Sequence, residues 1–133
     1  MATTAYQKIP VPSYTSPTAT ATDPEILYST AGFTQKGVTI GGGQGVLPAG
    51  TVLAQRTADK KYVAYSNAGS GGAETARGVL RRAVDTGGAG AADQLGNIVI
   101  QGILKLSMVQ GADAAALTDL GATVDTVRGT FKF

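Results

Sequence analysis

Asn97-Ile98-Val99-Ile100-Gln101-Gly102-Ile103-Leu104-Lys105-Leu106-Ser107-Met108-Val109 is the stretch on which the fold turns. Ile98, Val99, Ile100 and Ile103 are β-branched, a type that packs well on a pleated surface and poorly in a helix. Past Gly102, Leu104, Leu106 and Met108 alternate with Lys105, Ser107 and Val109, which predicts a half-buried strand. Gly102 is expected to mark a bulge or bend within it. Gln101, Gly102, Lys105 and Ser107 interrupt the apolar run, so it falls short of the ~18 residues of a membrane span.

Working outward, the same β character recurs between glycine-rich breaks. Upstream lie a Gly/Ala loop from Thr86 to Ala92 and a segment from Glu74 to Val84 that reads as one strand, because Gly78 and the valines weaken a helix. Thr51 to Arg56 and Lys61 to Tyr65 form two strands joined by the polar turn Thr57-Ala58-Asp59-Lys60, a predicted hairpin. Pro48-Ala49-Gly50 is a turn, with proline read at its second position and glycine at its fourth. Gly37 to Ile40 alternates before Gly41-Gly42-Gly43-Gln44-Gly45 breaks the pattern. Downstream, Asp113 to Leu120 is the one good helix, with Asp113 as N-cap and Gly121 as its stop. It is short, so packing through Leu117 and Leu120 must hold it. Ala122 to Phe133 alternates and is expected to close the chain as a strand.

Residues 1–25 differ from the rest. Pro10, Pro12 and Pro17 stand among Ser and Thr without helical periodicity, which predicts an extended arm ahead of a domain over 26–133. Tyr6, Ile9, Val11 and Tyr14 suit an arm that docks on a partner as an extended strand. The N-terminus has no apolar signal core, so synthesis in a cytoplasm is expected.

Composition removes much chemistry. The 133 residues contain no Cys and no His, which excludes thiol nucleophiles, disulfides, imidazole bases and Cys- or His-ligated metals. The net charge is +2, too small for a nucleic-acid footprint. Charge is nevertheless segregated. Arg56, Lys60, Lys61, Arg77, Arg81 and Arg82 precede a run holding Asp85, Asp93, Asp113, Asp119 and Asp125, a pattern that suits self-association or two solvated faces. On a continuous strand, Arg77 and Arg81 would share one face and Arg82 the other. Gly41 to Gly45 lacks the Gly-Lys-Ser/Thr ending of a phosphate loop and reads as a flexible turn. Lys105 reads as an outward lysine rather than a buried base. No catalytic, cofactor-binding or metal-binding residue is expected, and the profile is that of a structural or interaction protein.

Six short stretches carry a resemblance through their order. They are Ile26-Leu27-Tyr28-Ser29-Thr30-Ala31-Gly32-Phe33, Gly37-Val38-Thr39-Ile40, Leu47-Pro48-Ala49-Gly50-Thr51-Val52-Leu53, Lys61-Tyr62-Val63, Thr75-Ala76-Arg77-Gly78-Val79-Leu80 with Val84-Asp85, and Ala116-Leu117-Thr118-Asp119-Leu120-Gly121. The chain resembles the lambda-like head decoration proteins of tailed bacteriophages over about residues 26–133. The resemblance implies a mainly β, small barrel- or sandwich-like domain with little helix. It implies a non-enzymatic homotrimer at three-fold and quasi-three-fold points of the expanded head, on the outer surface of the virion. There it would bind the major capsid protein and stabilise the shell against packaged-DNA pressure, without cofactor, membrane or specific nucleic acid. Tyr6, Ile9, Pro10, Val11, Pro12 and Tyr14 are then the expected capsid contacts of the arm. Arg77, Arg81, Arg82 and Asp85 are the expected trimer contacts, although Arg81-Arg82 stands where the family leads one to expect small or acidic residues. Another phage structural part, such as a head fibre, tail-tube or baseplate element, is the alternative.

Overall fold

The structure is a computed structural model, and it describes residues 25–133. Nine strands and one α-helix follow in order: β1 (Leu27–Ile40), β2 (Val46–Leu47), β3 (Val52–Gln55), β4 (Tyr62–Ala64), β5 (Ala76–Leu80), β6 (Val84–Asp85), β7 (Gln94–Lys105), α1 (Ala114–Leu120), β8 (Thr123–Asp125) and β9 (Thr130–Lys132). The main sheet runs β1-β4-β3-β5-β7-β9-β8, and β1 also pairs with β7. Strands β1, β4, β3, β5 and β7 therefore close a circuit, which makes this part barrel-like. A second sheet holds β2 and β6.

The long apolar strand is the spine. Along one edge of β7, β1 is antiparallel from Ile40↔Gln94 to Leu27↔Leu104. Along the other edge its neighbour changes: β5 pairs at Ile98 and Val99, and β9 at Ile103 to Lys105. Gly102 stands at the change and exchanges two hydrogen bonds with Phe133 (2.9 and 3.0 Å). As expected, the pairing is irregular here. The register shift between Ser29 and Thr34 leaves extra residues on β1, with Gly32 left-handed at φ +72°, and the shift between Thr34 and Gln35 leaves one on β7.

Alternation along the central strands places side chains in two cores. Val52, Ala54, Val79, Val99, Leu104 and Phe131 join one cluster, against which Leu117 and Leu120 of α1 pack. Leu53, Leu80, Ile98, Ile40 and Tyr62 join the other. Strands buried on both faces read as continuous apolar runs, which is why β3 and β5 lack polar alternation. The helix forms as read: Asp113 caps the Ala116 N–H, and Gly121 ends it at φ +67°. Its deepest residue is Ala116, while Leu117 and Leu120 are only partly buried.

Several boundaries differ from the sequence reading. The spine begins at Gln94 and ends at Lys105, after which Leu106–Met108 form a 3-10 turn. β9 pairs as far as Thr130, opposite Lys105; Leu106 N–H then donates to Gly129 C=O, and Val109 N–H closes the turn on Leu106 C=O. The C-terminal stretch is a hairpin, β8 with β9, not one strand. The Asp125 carboxylate accepts from the Val127 and Arg128 N–H groups and turns the chain there. The segment from Glu74 to Val84 is also broken. It leaves β5 at Leu80, bends at Arg81-Arg82 and enters the other sheet as β6, so Arg77 and Arg81 share no strand face.

The proline turn lies one residue later than expected. Thr51 N–H bonds to Pro48 C=O, which makes Pro48 the first residue and Gly50, at φ +92°, the third. A Cβ at Gly50 would overlap the Met108 carbonyl oxygen, whereas one at Gly111 (φ +85°) would meet nothing within 4 Å. Gly111→Ala is expected to cost about 1–2 kcal/mol, the strain of a left-handed side chain. Gly50→Ala carries that strain and a backbone collision, so it is expected to cost clearly more or to prevent folding. Urea unfolding of the two variants side by side checks the difference.

Candidate functional site

The glycine-rich segment is a structural knot rather than a cradle. Gly41 N–H donates to Tyr62 C=O, Gly43 N–H to Thr86 C=O and Gly45 N–H to Gly87 C=O. Gly42 N–H donates to the Asp93 carboxylate and Gln44 N–H to Thr86 Oγ1. All five donors are spent inside the chain, so none is left to hold a phosphate. Thr86 is buried; its hydroxyl accepts from Gln44 N–H at 2.8 Å and donates to Gly45 C=O at 2.7 Å. The Gln44 side chain joins the knot to the hairpin, donating to Gly41 C=O and accepting from Ala64 N–H. The turn read as flexible is thus tied at every residue.

The acidic residues are occupied likewise. Asp93 pairs with Lys61 at 2.6 Å, and Asp59 with Arg56 at 2.9 Å. Asp119 accepts from Ala76 N–H, and Asp113 accepts from both Ala116 N–H and the Tyr65 hydroxyl. Burial, together with the Asp113 hydrogen bond, pushes the Tyr65 phenol up to about 12. Lys105 is exposed. Among the described residues no three His, Cys, Asp or Glu side chains gather as metal ligands, and no helix is long and apolar enough to cross a membrane. A surface groove of about 360 Å³ is lined by Gly37, Val38, Thr39, Leu95, Gly96 and Asn97, none of which titrates.

One polar cluster stands apart, at the place where the described chain begins. Arg81 lies just past β5, and its backbone N–H donates to Asn97 C=O of the spine. Its guanidinium forks: Nη2 reaches Glu25 Oε2 at 2.8 Å and Nη1 reaches Gln35 Oε1 at 2.9 Å. Beneath it lies the Phe33 ring, with the guanidinium carbon 4.9 Å from the centroid. The Arg81 side chain is only 17% exposed, and its buried Nε has no hydrogen-bond partner among the described residues. Phe33 can lie there because Gly102 faces it: a Cβ on Gly102 would come within 3.0 Å of Phe33 Cβ. Glu25 also accepts from Leu27 N–H through Oε1, and Ile26 C=O accepts from Lys105 N–H of the spine. The Arg81 hydrogen bond holds the Glu25 carboxyl below its ordinary value, against some desolvation, and the Arg82 charge acts in the same direction.

Of the expected trimer contacts, Arg77 is exposed within β5, Arg82 is exposed at the bend, and Asp85 is exposed at the end of β6, where it accepts from Gly87 N–H. The expected arm contacts Tyr6, Ile9, Pro10, Val11, Pro12 and Tyr14 lie outside the described residues. Sequence reasoning missed Glu25, Phe33 and Gln35. The Arg81 partners stand 46 and 56 positions away in the chain, and no local spacing announces them. Large exposed apolar side chains are scattered over β1 (Tyr28), β2 (Val46), β7 (Leu95, Ile100) and the C-terminal hairpin (Val124, Val127).

The chain is a small two-core β domain whose glycine-rich segment and acidic side chains bond largely within its own loops. A protein-family profile described as bacteriophage lambda head decoration protein D matches residues 16–123, and the chain belongs to that family. The match begins inside the proline-rich segment and ends in β8. No curated protein and no solved structure gives a match. The family is one of structural proteins of the phage head.

Two outcomes follow for stability. Thr86→Val keeps the shape but takes the partner from the half-buried Gln44 N–H, so a loss of about 1–3 kcal/mol is expected, with faster amide exchange at Gln44. The second concerns pH. Hydrogen bonds from Lys61 to Asp93, from Ala116 N–H to Asp113 and from Lys61 N–H to Asp59 hold these carboxyls, like Glu25, below their ordinary values. The unfolded chain therefore takes up protons first on acidification. Stability is expected to be level from neutrality down to roughly pH 5, then to fall progressively below roughly pH 4 as these groups protonate. Urea midpoints measured from pH 7 to pH 3 check both the sign and the window.

Proposed function

We propose that this chain decorates the outer surface of an expanded phage head, as a non-enzymatic homotrimer seated at three-fold and quasi-three-fold points. There it binds the major capsid protein and stabilises the shell against the pressure of packaged DNA. The observation that carries the reading is the family match, which spans most of the domain and reaches back into residues 16–25. The proline-rich segment is the capsid-gripping arm, and Tyr6, Ile9, Pro10, Val11, Pro12 and Tyr14 are its contacts. An extended arm can add to an exposed sheet edge through main-chain hydrogen bonds. Pro10, Pro12 and Pro17 limit the freedom lost on docking. Three arms on one trimer act at high effective concentration, so each contact can be weak.

Arg77, Arg82 and Asp85 are exposed, and they are the proposed contacts with a neighbouring subunit. Arg81 shared their place in the sequence reading, and its guanidinium bonds within its own chain. Such a protein needs no pocket and no titrating group, and its synthesis in the host cytoplasm requires no disulfide.

Co-sedimentation with expanded and unexpanded undecorated shells tests the proposal. Saturable binding to the expanded form alone, near one copy per capsid subunit, is the expected result. Binding to neither form would overturn it. Deleting residues 1–20 is expected to leave the β circular-dichroism signature intact and to weaken shell binding at least tenfold. A truncated chain that binds as tightly as the full one would remove the arm from the mechanism.

A further inference from the structure

We infer that Arg81 is the positioning residue of the arm: seated on Phe33 and forked between Gln35 and Glu25, it sets the point and direction at which the chain leaves the domain. The inference rests on the decoration reading for its consequence, though not for its geometry. Glu25 is the first described residue, and its carboxylate is held at both oxygens, by Leu27 N–H at 3.2 Å and by Arg81 at 2.8 Å. Next to it, Ile26 is wholly buried and bonded through its carbonyl to Lys105 N–H. With both residues held, the backbone between them has a defined course.

That course is passed on up the chain. Pro24 precedes Glu25, its ring locks its own φ, and it biases Asp23 toward extended backbone. The direction of exit is thus set at Glu25, where the described residues begin. The arm is delivered to one region of the capsid surface rather than swept over many, which raises its effective concentration there.

An ordinary surface ion pair explains the cluster less well. Such a pair leaves both side chains in water and contributes little. Here the guanidinium is mostly covered, stacked on an aromatic ring and engaged at both Nη atoms by residues distant in sequence. Only a planar fork reaches Gln35 and Glu25 together; a lysine ammonium is a single point. The seat itself is built for the purpose by the spine, since Gly102 makes room for Phe33.

The test uses the full chain with Glu25→Gln, Arg81→Gln and the double variant. Three properties are read: affinity for expanded shells, amide exchange at Leu27 and Lys105, and the thermal midpoint. Glu25→Gln alters an exposed acid and is expected to fold normally. Each single variant is expected to bind shells at least about 5-fold more weakly, the worth of freeing roughly one residue's backbone. The double variant is expected to be no weaker than the weaker single, because one clamp is lost only once. Exchange at Leu27 is expected to rise in all three. Wild-type affinity in both single variants overturns the inference. Weakening by Arg81→Gln alone, with Glu25→Gln like wild type, also overturns it and makes Arg81 a direct contact. If the wild-type chain itself fails to bind shells, the decoration reading fails instead. Leu27 exchange then decides the clamp by itself, and unchanged exchange in both variants overturns it.

Discussion

Backbone pairing along β7 is the constraint on which the rest of the structure depends. A twelve-residue strand with neighbours on both sides must satisfy its N–H and C=O groups on two edges. β1 covers one edge, but no single strand covers the other. β5 serves the first half and β9 the second, with the terminal Phe133 bonded at the joint. The chain must therefore bring its centre and its last residues to the same strand. That requirement draws the β8–β9 hairpin onto the barrel and shapes both cores. The joint needs a residue without a side chain, and Gly102 supplies it.

The consequences reach Glu25, where the described residues begin. Room at Gly102 admits Phe33, Phe33 seats Arg81, and Arg81 holds Glu25. A strand-pairing solution deep in the sheet thereby becomes a fixed point on the surface. The other polar groups tell a complementary story. Asp93, Asp113, Asp119, Thr86 and Gln44 hold loops together, and their bonding capacity is largely used within the chain. Charges that looked segregated along the sequence are partly paired across it, as Lys61 is with Asp93 and Arg81 with Glu25. Arg77, Arg82 and Asp85 are exposed.

Much of this architecture is legible in the amino-acid sequence. The helix can be read because its signals are local: a capping aspartate, a run of alanines and a glycine stop lie within nine residues. The hairpin of β3 and β4 can be read for the same reason, from two apolar runs around a polar turn. Sequence and structure part where a local pattern is ambiguous. Residues 122–133 alternate throughout, yet Asp125 and Gly129 turn the chain in the middle. Residues 74–84 suit a strand throughout, yet the chain bends at Arg81 because that residue's backbone and side chain are both claimed by distant segments.

The sequence by itself determined the class of fold, the places of most turns, and the absence of thiol and imidazole chemistry. The order of its short β segments determined the family. Only the tertiary structure decided which strands close the circuit, that the glycine cluster has no free donors, and that Glu25, Phe33, Gln35 and Arg81 meet. The physical reason is separation. Propensity, capping and turn chemistry act over a few residues and leave their mark in the sequence. A clamp whose members stand 46 and 56 positions apart is specified by strand register, and register is settled only when the whole sheet pairs at once.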